Sequence, residues 1–279
     1  MIEIKKQSLS ETFSIYFDKR MLKILLLGAI SGFPWVLIGS SLSLWLKEDG
    51  LSRSTVGWAG LIFAVYAFNY LWAPLVDRIQ IPFLTKKIGH RRGWIVLMQS
   101  LILLSLFLWS MINPTENLAL VITVGLLIAV ASATQDITVD ALRIEQIGEN
   151  EGGAMAAGAA MAVVGWWSGY KLGGVLSLFS AEFLENAGFE NYWQLTFLIL
   201  GILIILMNIG LMFIHETGHE DRRIKQLEND KLISSKFIKQ NIFTLSLSWV
   251  AGTIGGPISS FFKKNGFQIA IGILGFVFL

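Results

Sequence analysis

Residues 118–143 read LALVITVGLLIAVASATQDITVDALR. No charged residue occurs before Asp136, and an apolar run of about 20 residues is long enough to cross a bilayer core as a helix. The run closes on Asp136, Asp140 and Arg143, at i, i+4 and i+7, so the three share one helix face. Comparable apolar runs fall at 21–46, 56–76, 94–112, 154–178 and 193–214, giving six spans with this one. A seventh begins near Phe267 and is still apolar at Leu279, which reads as the front part of a longer protein. The expected fold is an all-α polytopic membrane protein.

Composition agrees. Only 15% of the 279 residues are charged, against about 25% in a typical soluble domain. A soluble enzyme, a disordered tail and a nucleic-acid module are thereby excluded. The net charge of +2 implies no bulk attraction to polyanions. With no cysteine there is no disulfide framework and no thiolate chemistry. The apolar run from Leu22 is too long for a signal peptide and lacks a small-residue cleavage site, so it reads as the first span.

Lys and Arg set the expected orientation. Lys5, Lys6, Lys19, Arg20 and Lys23 precede or open span one, and Arg78, Lys86, Lys87, Arg91 and Arg92 lie between spans two and three. Arg143 follows span four, and six more Lys and Arg follow span six, from Arg222 to Lys239. The opposite loops hold only Lys47 and Arg53. The amino terminus is therefore expected in the cytoplasm. Residues 1–20 form a cytoplasmic segment, 21–215 the six-helix bundle, 216–242 a cytoplasmic loop and 265–279 the start of span seven. Between them, 243–264 carries one apolar stripe (Phe243, Leu247, Val250, Ile254, Ile258, Phe261), which favours a helix lying in the membrane interface over a re-entrant or spanning segment.

Ionisable groups inside spans are costly and are functional candidates by default. Lys171, beside Tyr170, lies deep in span five; it either snorkels to the headgroups or faces a water-filled cavity as a cation for an anionic substrate. Asp136 and Asp140, one turn apart, disfavour double ionisation, and Arg143 relieves this only in part. Asp136, next to Gln135, is the candidate for carrying a proton, while Asp140 and Arg143 read as an ion pair closing the cytoplasmic end. Glycines recur four apart at Gly28/Gly32 and at Gly165/Gly169/Gly173, a spacing that lets helices approach closely. Pro34 is expected to bend span one and free backbone groups toward a cavity. His215-Glu216-Thr217-Gly218-His219 matches H-E-x-x-H, so an intramembrane metalloprotease is an alternative. Gly218 disfavours the helix that zinc binding needs, and a solvated helix end is the favoured reading.

Several blocks resemble the AmpG muropeptide permease family of the major facilitator superfamily. They are Tyr16–Leu22, Trp72-Ala73-Pro74-Leu75-Val76-Asp77-Arg78, Gly89-His90-Arg91-Arg92-Gly93-Trp94, Ala133–Ala141 and Gly169-Tyr170-Lys171. The resemblance covers roughly residues 13–215 and implies the amino-terminal six-helix bundle of a major-facilitator-type transporter, not an enzyme. It further implies import of anhydromuropeptides (GlcNAc-anhydroMurNAc peptides) across the bacterial inner membrane by proton symport. The role implied is peptidoglycan recycling, with a link to β-lactamase induction. No cofactor beyond the proton gradient is implied; the partners are the muropeptide, membrane lipid and the carboxy-terminal half of the same chain. Carried over, Asp77 and Arg78 match the superfamily's cytoplasmic-gate pair; from their own positions in the spans, Gln135, Tyr170 and Lys171 are the candidates to touch substrate, Asp136 to couple protons, and Asp140 and Arg143 to join the gate. Two departures stand out: Ala73 replaces the family's glycine, and residues 79–88 displace the basic Gly89-Arg91-Arg92 part. Another polar or acylated cargo, such as acetyl-coenzyme A, is the alternative within transport.

Overall fold

The computed structural model describes residues 14–147 and 151–216, with Ser259 and Lys263 as single positions. Apart from Glu216 and those two positions, the expected central loop, interfacial helix and seventh span lie outside the described residues. Met1–Asn69 and Ile81–Thr217 belong to one unit and Tyr70–Gln80 to a second.

Among the described residues the regular structure is helical throughout. Helix α1 (Lys19–Val36) runs through one π-helical turn (Leu37–Ser41) into α2 (Leu42–Glu48). The chain continues as α3 (Arg53–Ala59), a 3₁₀ stretch (Gly60–Ala67), α4 (Ala73–Arg78), α5 (Leu84–Ile88), α6 (His90–Trp109), α7 (Leu118–Glu145), α8 (Gly152–Asn186) and α9 (Tyr192–Met212). Five segments are long and apolar enough to cross a membrane: Lys19–Glu48, Arg53–Leu71, His90–Trp109, Leu118–Glu145 and Tyr192–Met212. The remaining expected span, span five, lies in α8, long enough at 35 residues. Its Gly, Ser and Trp content and Lys171 lower its hydropathy relative to the others.

Helix α1 packs most extensively against α8, and glycine is the reason. A Cβ on Gly32 would run into the backbone of Trp166, and one on Gly169 into the backbone of Ala29. Gly28 and Gly165 lie against each other in the same seam. The expected small-residue contact is thus between spans one and five, backbone against backbone. Arg20 fastens its lower end, reaching both Glu151 oxygens at 3.0 Å. Asp18 caps α1 by accepting from the Arg20 amide at 2.8 Å, and the Arg20 side chain holds its carboxyl below the usual range.

At the Glu48 end, an aromatic core joins the first, third and sixth spans. Trp45, Trp109 and Phe197 meet with ring centroids 4.9 to 5.8 Å apart and are fully buried. Trp109 donates to the Val121 carbonyl at 3.0 Å, and the neighbouring Trp193 donates to Glu48 at 2.6 Å.

Span two departs from the single helix expected over 56–76. It is α-helical only through Ala59, then winds as 3₁₀ to Ala67, and breaks at Phe68. Two glycines (Gly57, Gly60) followed by branched and aromatic residues give weak helix preference. Of this stretch only Ala59 and Ile62 are buried, so packing does little to impose a regular helix.

Candidate functional site

The site begins with the missing amide of Pro34. Proline has no N–H, so the carbonyl four residues earlier, on Ile30, loses its helical donor. Gln135 supplies the replacement from α7, donating from Nε2 to the Ile30 oxygen at 2.8 Å. One residue along on each helix, the Ser31 hydroxyl donates to Asp136 at 2.5 Å. Adjacent residues of α7 thereby grip adjacent residues of α1. Gln135 is fully buried, and its Oε1 has no hydrogen-bond partner among the described residues.

Asp136 lines a cleft of about 390 Å³ together with Gly28, Ser31, Asp140, Arg143 and Trp166. The Trp35 indole also faces the Asp136 carboxyl, and Tyr66 is close enough to feel its charge. Trp35 is the centre of an aromatic group, 4.6 Å from Tyr66, 4.9 Å from Phe63 and 5.4 Å from Trp166 between ring centroids. Trp166 in turn stacks on Tyr170, 5.6 Å away and 5° from parallel, as i and i+4 on α8.

Lys171 continues this group. Its ammonium lies 5.6 Å from the Trp167 ring and 5.9 Å from the Tyr170 ring, within cation–π range. The residue is exposed and has no ion-pair partner among the described residues. Helix α8 runs on to Asn186, placing Lys171 about 22 Å from that end at 1.5 Å per residue.

Arg143 pairs with Asp140 at 3.0 Å, as its spacing suggested. Asp140 is 67% exposed, so solvent screens the pair and its contribution is small. Asp77 and Arg78 end α4 in the second unit, and both engage other groups. The displaced basic part is ordered by Gly89, whose φ of 101° opens α6. Glu216 accepts from the Arg91 and Arg92 amides at 2.9 and 3.4 Å, capping that helix start. Arg91 pairs with Glu145 at 3.4 Å, and Arg92 donates to the carbonyls of Met212 and Ile214 at 3.3 and 3.0 Å. The glutamate of the H-E-x-x-H run therefore serves as a helix cap and not as a free general base; His219 lies outside the described residues.

A family model for the Major Facilitator Superfamily matches residues 24–279. The chain belongs to the major facilitator superfamily. Membership places it among transporters rather than enzymes. It is 33% identical over 251 residues to a protein of Rickettsia conorii named putative transporter AmpG 4, covering 90% of this chain and 54% of that protein. It is 32% identical over 196 residues to the anhydromuropeptide permease of Escherichia coli, covering 70% of this chain and 38% of that one. The putative transporter AmpG 1 of Rickettsia conorii matches at 29% over 225 residues, 81% and 52% of the two chains. These matches bear out the AmpG resemblance. The chain spans about half the length, or less, of these curated relatives.

Within this superfamily bundle, Gln135, Asp136, Asp140 and Arg143 sit together along one stretch of α7, and Tyr170 joins Asp136 through Trp166 and Trp35. Lys171 stands one residue beyond, on the exposed side of α8. Ser31, Trp35, Phe63, Tyr66 and Trp166 were not singled out from the sequence. Pro34 beside Trp35 and the i, i+4 pair Trp166/Tyr170 were the available signals, but aromatics are too common in spans to stand out.

Proposed function

We propose that the protein carrying this chain is a secondary transporter that imports anhydromuropeptides across the bacterial inner membrane, with its amino terminus in the cytoplasm and a proton as the coupling ion. The name of the Escherichia coli relative, anhydromuropeptide permease, supplies the cargo class. The observation that supports coupling is Asp136: a carboxyl in a cleft, held by Ser31 and faced by Trp35, at the junction of two spans. Ionised, Asp136 accepts the Ser31 hydroxyl and draws spans one and four together. Protonation removes the charge that holds this bond, leaving Gln135 to Ile30 as the remaining link. Proton occupancy thereby biases how tightly the two spans meet. Lys171 offers its charge to a cargo carboxylate, with the Trp166, Trp167 and Tyr170 faces beside it for sugar rings. Asp77, Arg78, Asp140 and Arg143 act at the cytoplasmic gate. Recycling of peptidoglycan is the role that follows from this cargo.

The test is uptake into proteoliposomes driven by a pH gradient, beside counterflow exchange without one. Asp136→Asn is expected to retain exchange of labelled GlcNAc-anhydroMurNAc peptide and to lose concentrative uptake. Retained concentrative, proton-driven uptake in this variant removes Asp136 as the coupling group.

A further inference from the structure

A second cleft lies at the other end of the α1–α8 seam, and nothing in the site above uses it. It has a volume of about 760 Å³ and is lined by Ser40, Ser43, Leu44, Lys47, Arg53 and Leu178 among others. Local structure explains why two cations meet there. Helix α2 ends in a reversal: Leu51 N–H bonds to the Leu46 carbonyl and Gly50 N–H to the Lys47 carbonyl, with Gly50 at φ 83°. Ser52 then caps α3, its hydroxyl accepting from the Thr55 amide at 3.1 Å. The tight turn folds Arg53 back beside Lys47.

Neither side chain has an ion-pair or hydrogen-bond partner among the described residues, and the Ser43 hydroxyl is equally free. The neighbouring Glu48 makes no ion pair with either of them; its carboxylate accepts instead from Tyr192 and Trp193 at 3.1 and 2.6 Å. Lys47 and Arg53 are also the only Lys and Arg in the loops on this side of the spans. Leu178 lies seven residues, two helical turns, beyond Lys171 on α8, so the cleft and Lys171 share one face of that helix. We infer that this cleft is an entry subsite for a carboxylate of the incoming solute, with Lys47 and Arg53 as its cations, Ser43 as a hydroxyl donor and the leucines as an apolar floor. The inference rests on the transport reading above and extends it: the anion is captured at the outer mouth and passed to Lys171 along α8.

The test uses the intact protein in vesicles and GlcNAc-anhydroMurNAc-tripeptide, beside the same compound with its carboxylates methyl-esterified. Two exposed charge contacts are worth up to about tenfold in affinity. Lys47→Gln/Arg53→Gln is therefore expected to raise KM for the free acid by about that factor, with kcat unchanged, and to leave the ester unaffected. An unchanged KM overturns the inference. A defect shared by the ester marks a structural role and overturns it too. A defect seen only in vesicles containing anionic lipid assigns the cleft to a headgroup and equally overturns it. A readout independent of transport is thiol labelling of Ser43→Cys in a version otherwise free of cysteine, slowed by the free acid and not by the ester. Protection without any uptake by the parent protein refutes the muropeptide transport reading while the subsite stands; normal parental uptake with no protection refutes the subsite alone.

Discussion

Lys171 and Asp136 are both ionisable groups within apolar helices, yet their surroundings differ. Asp136 has a hydroxyl and an indole facing it, whereas Lys171 has only ring faces. A cation held by rings alone keeps most of its capacity to bind an anion, since cation–π contact contributes about 0.5 to 2 kcal/mol. Lys171→Met is accordingly expected to reduce muropeptide uptake by at least tenfold while the protein folds and reaches the membrane at the parental level. Normal uptake would reduce Lys171 to a snorkelling side chain. Lys171 and Asp136 were legible in the sequence because charge in an apolar run is rare. The role of Gln135 was less legible: a polar residue beside an acid suggested cargo, and only the position of Pro34 on another span reveals the carbonyl it serves.

At the level of single helices, the missing Pro34 amide gives a test of that pairing. Gln135→Leu leaves the Ile30 carbonyl buried without a donor, which costs about 1 to 3 kcal/mol. Pro34→Ala restores an N–H in span one that can bond Ile30 directly. The double variant is therefore expected to recover most of the stability lost in Gln135→Leu, measured by thermal unfolding in detergent. Additive losses would show that Gln135 and Pro34 act independently. The glycine spacing and the missing amide at Pro34 could be read in advance because both follow from one residue's own chemistry. The irregular winding of span two could not, since its apolar run satisfies a helix and the deficit lies in how little of it is packed.

For the whole bundle, the Lys and Arg distribution fixes an expected sidedness that chemistry can check. The chain has no cysteine, so Lys86→Cys and Glu190→Cys, both at exposed positions, give labelling sites without background from this part of the protein. An impermeant thiol reagent applied from the periplasm is expected to label Glu190→Cys and to spare Lys86→Cys; the reverse pattern would invert the topology. Five of the expected spans reappear among the described residues as helices long and apolar enough to cross a membrane, but which of them touch was not legible, because every span offers lipid-compatible residues on several sides. The contact between spans one and five matters beyond packing. Two rods that meet through their main chains, with no cushion of side chains between them, behave as a laminate: shear along the seam meets hard atoms at once. Flexing at Pro34 must then carry both layers together. Lys171 rides on one ply and Ser31 on the other, so a change in bend shifts the solute-facing cation and the grip on Asp136 in the same stroke.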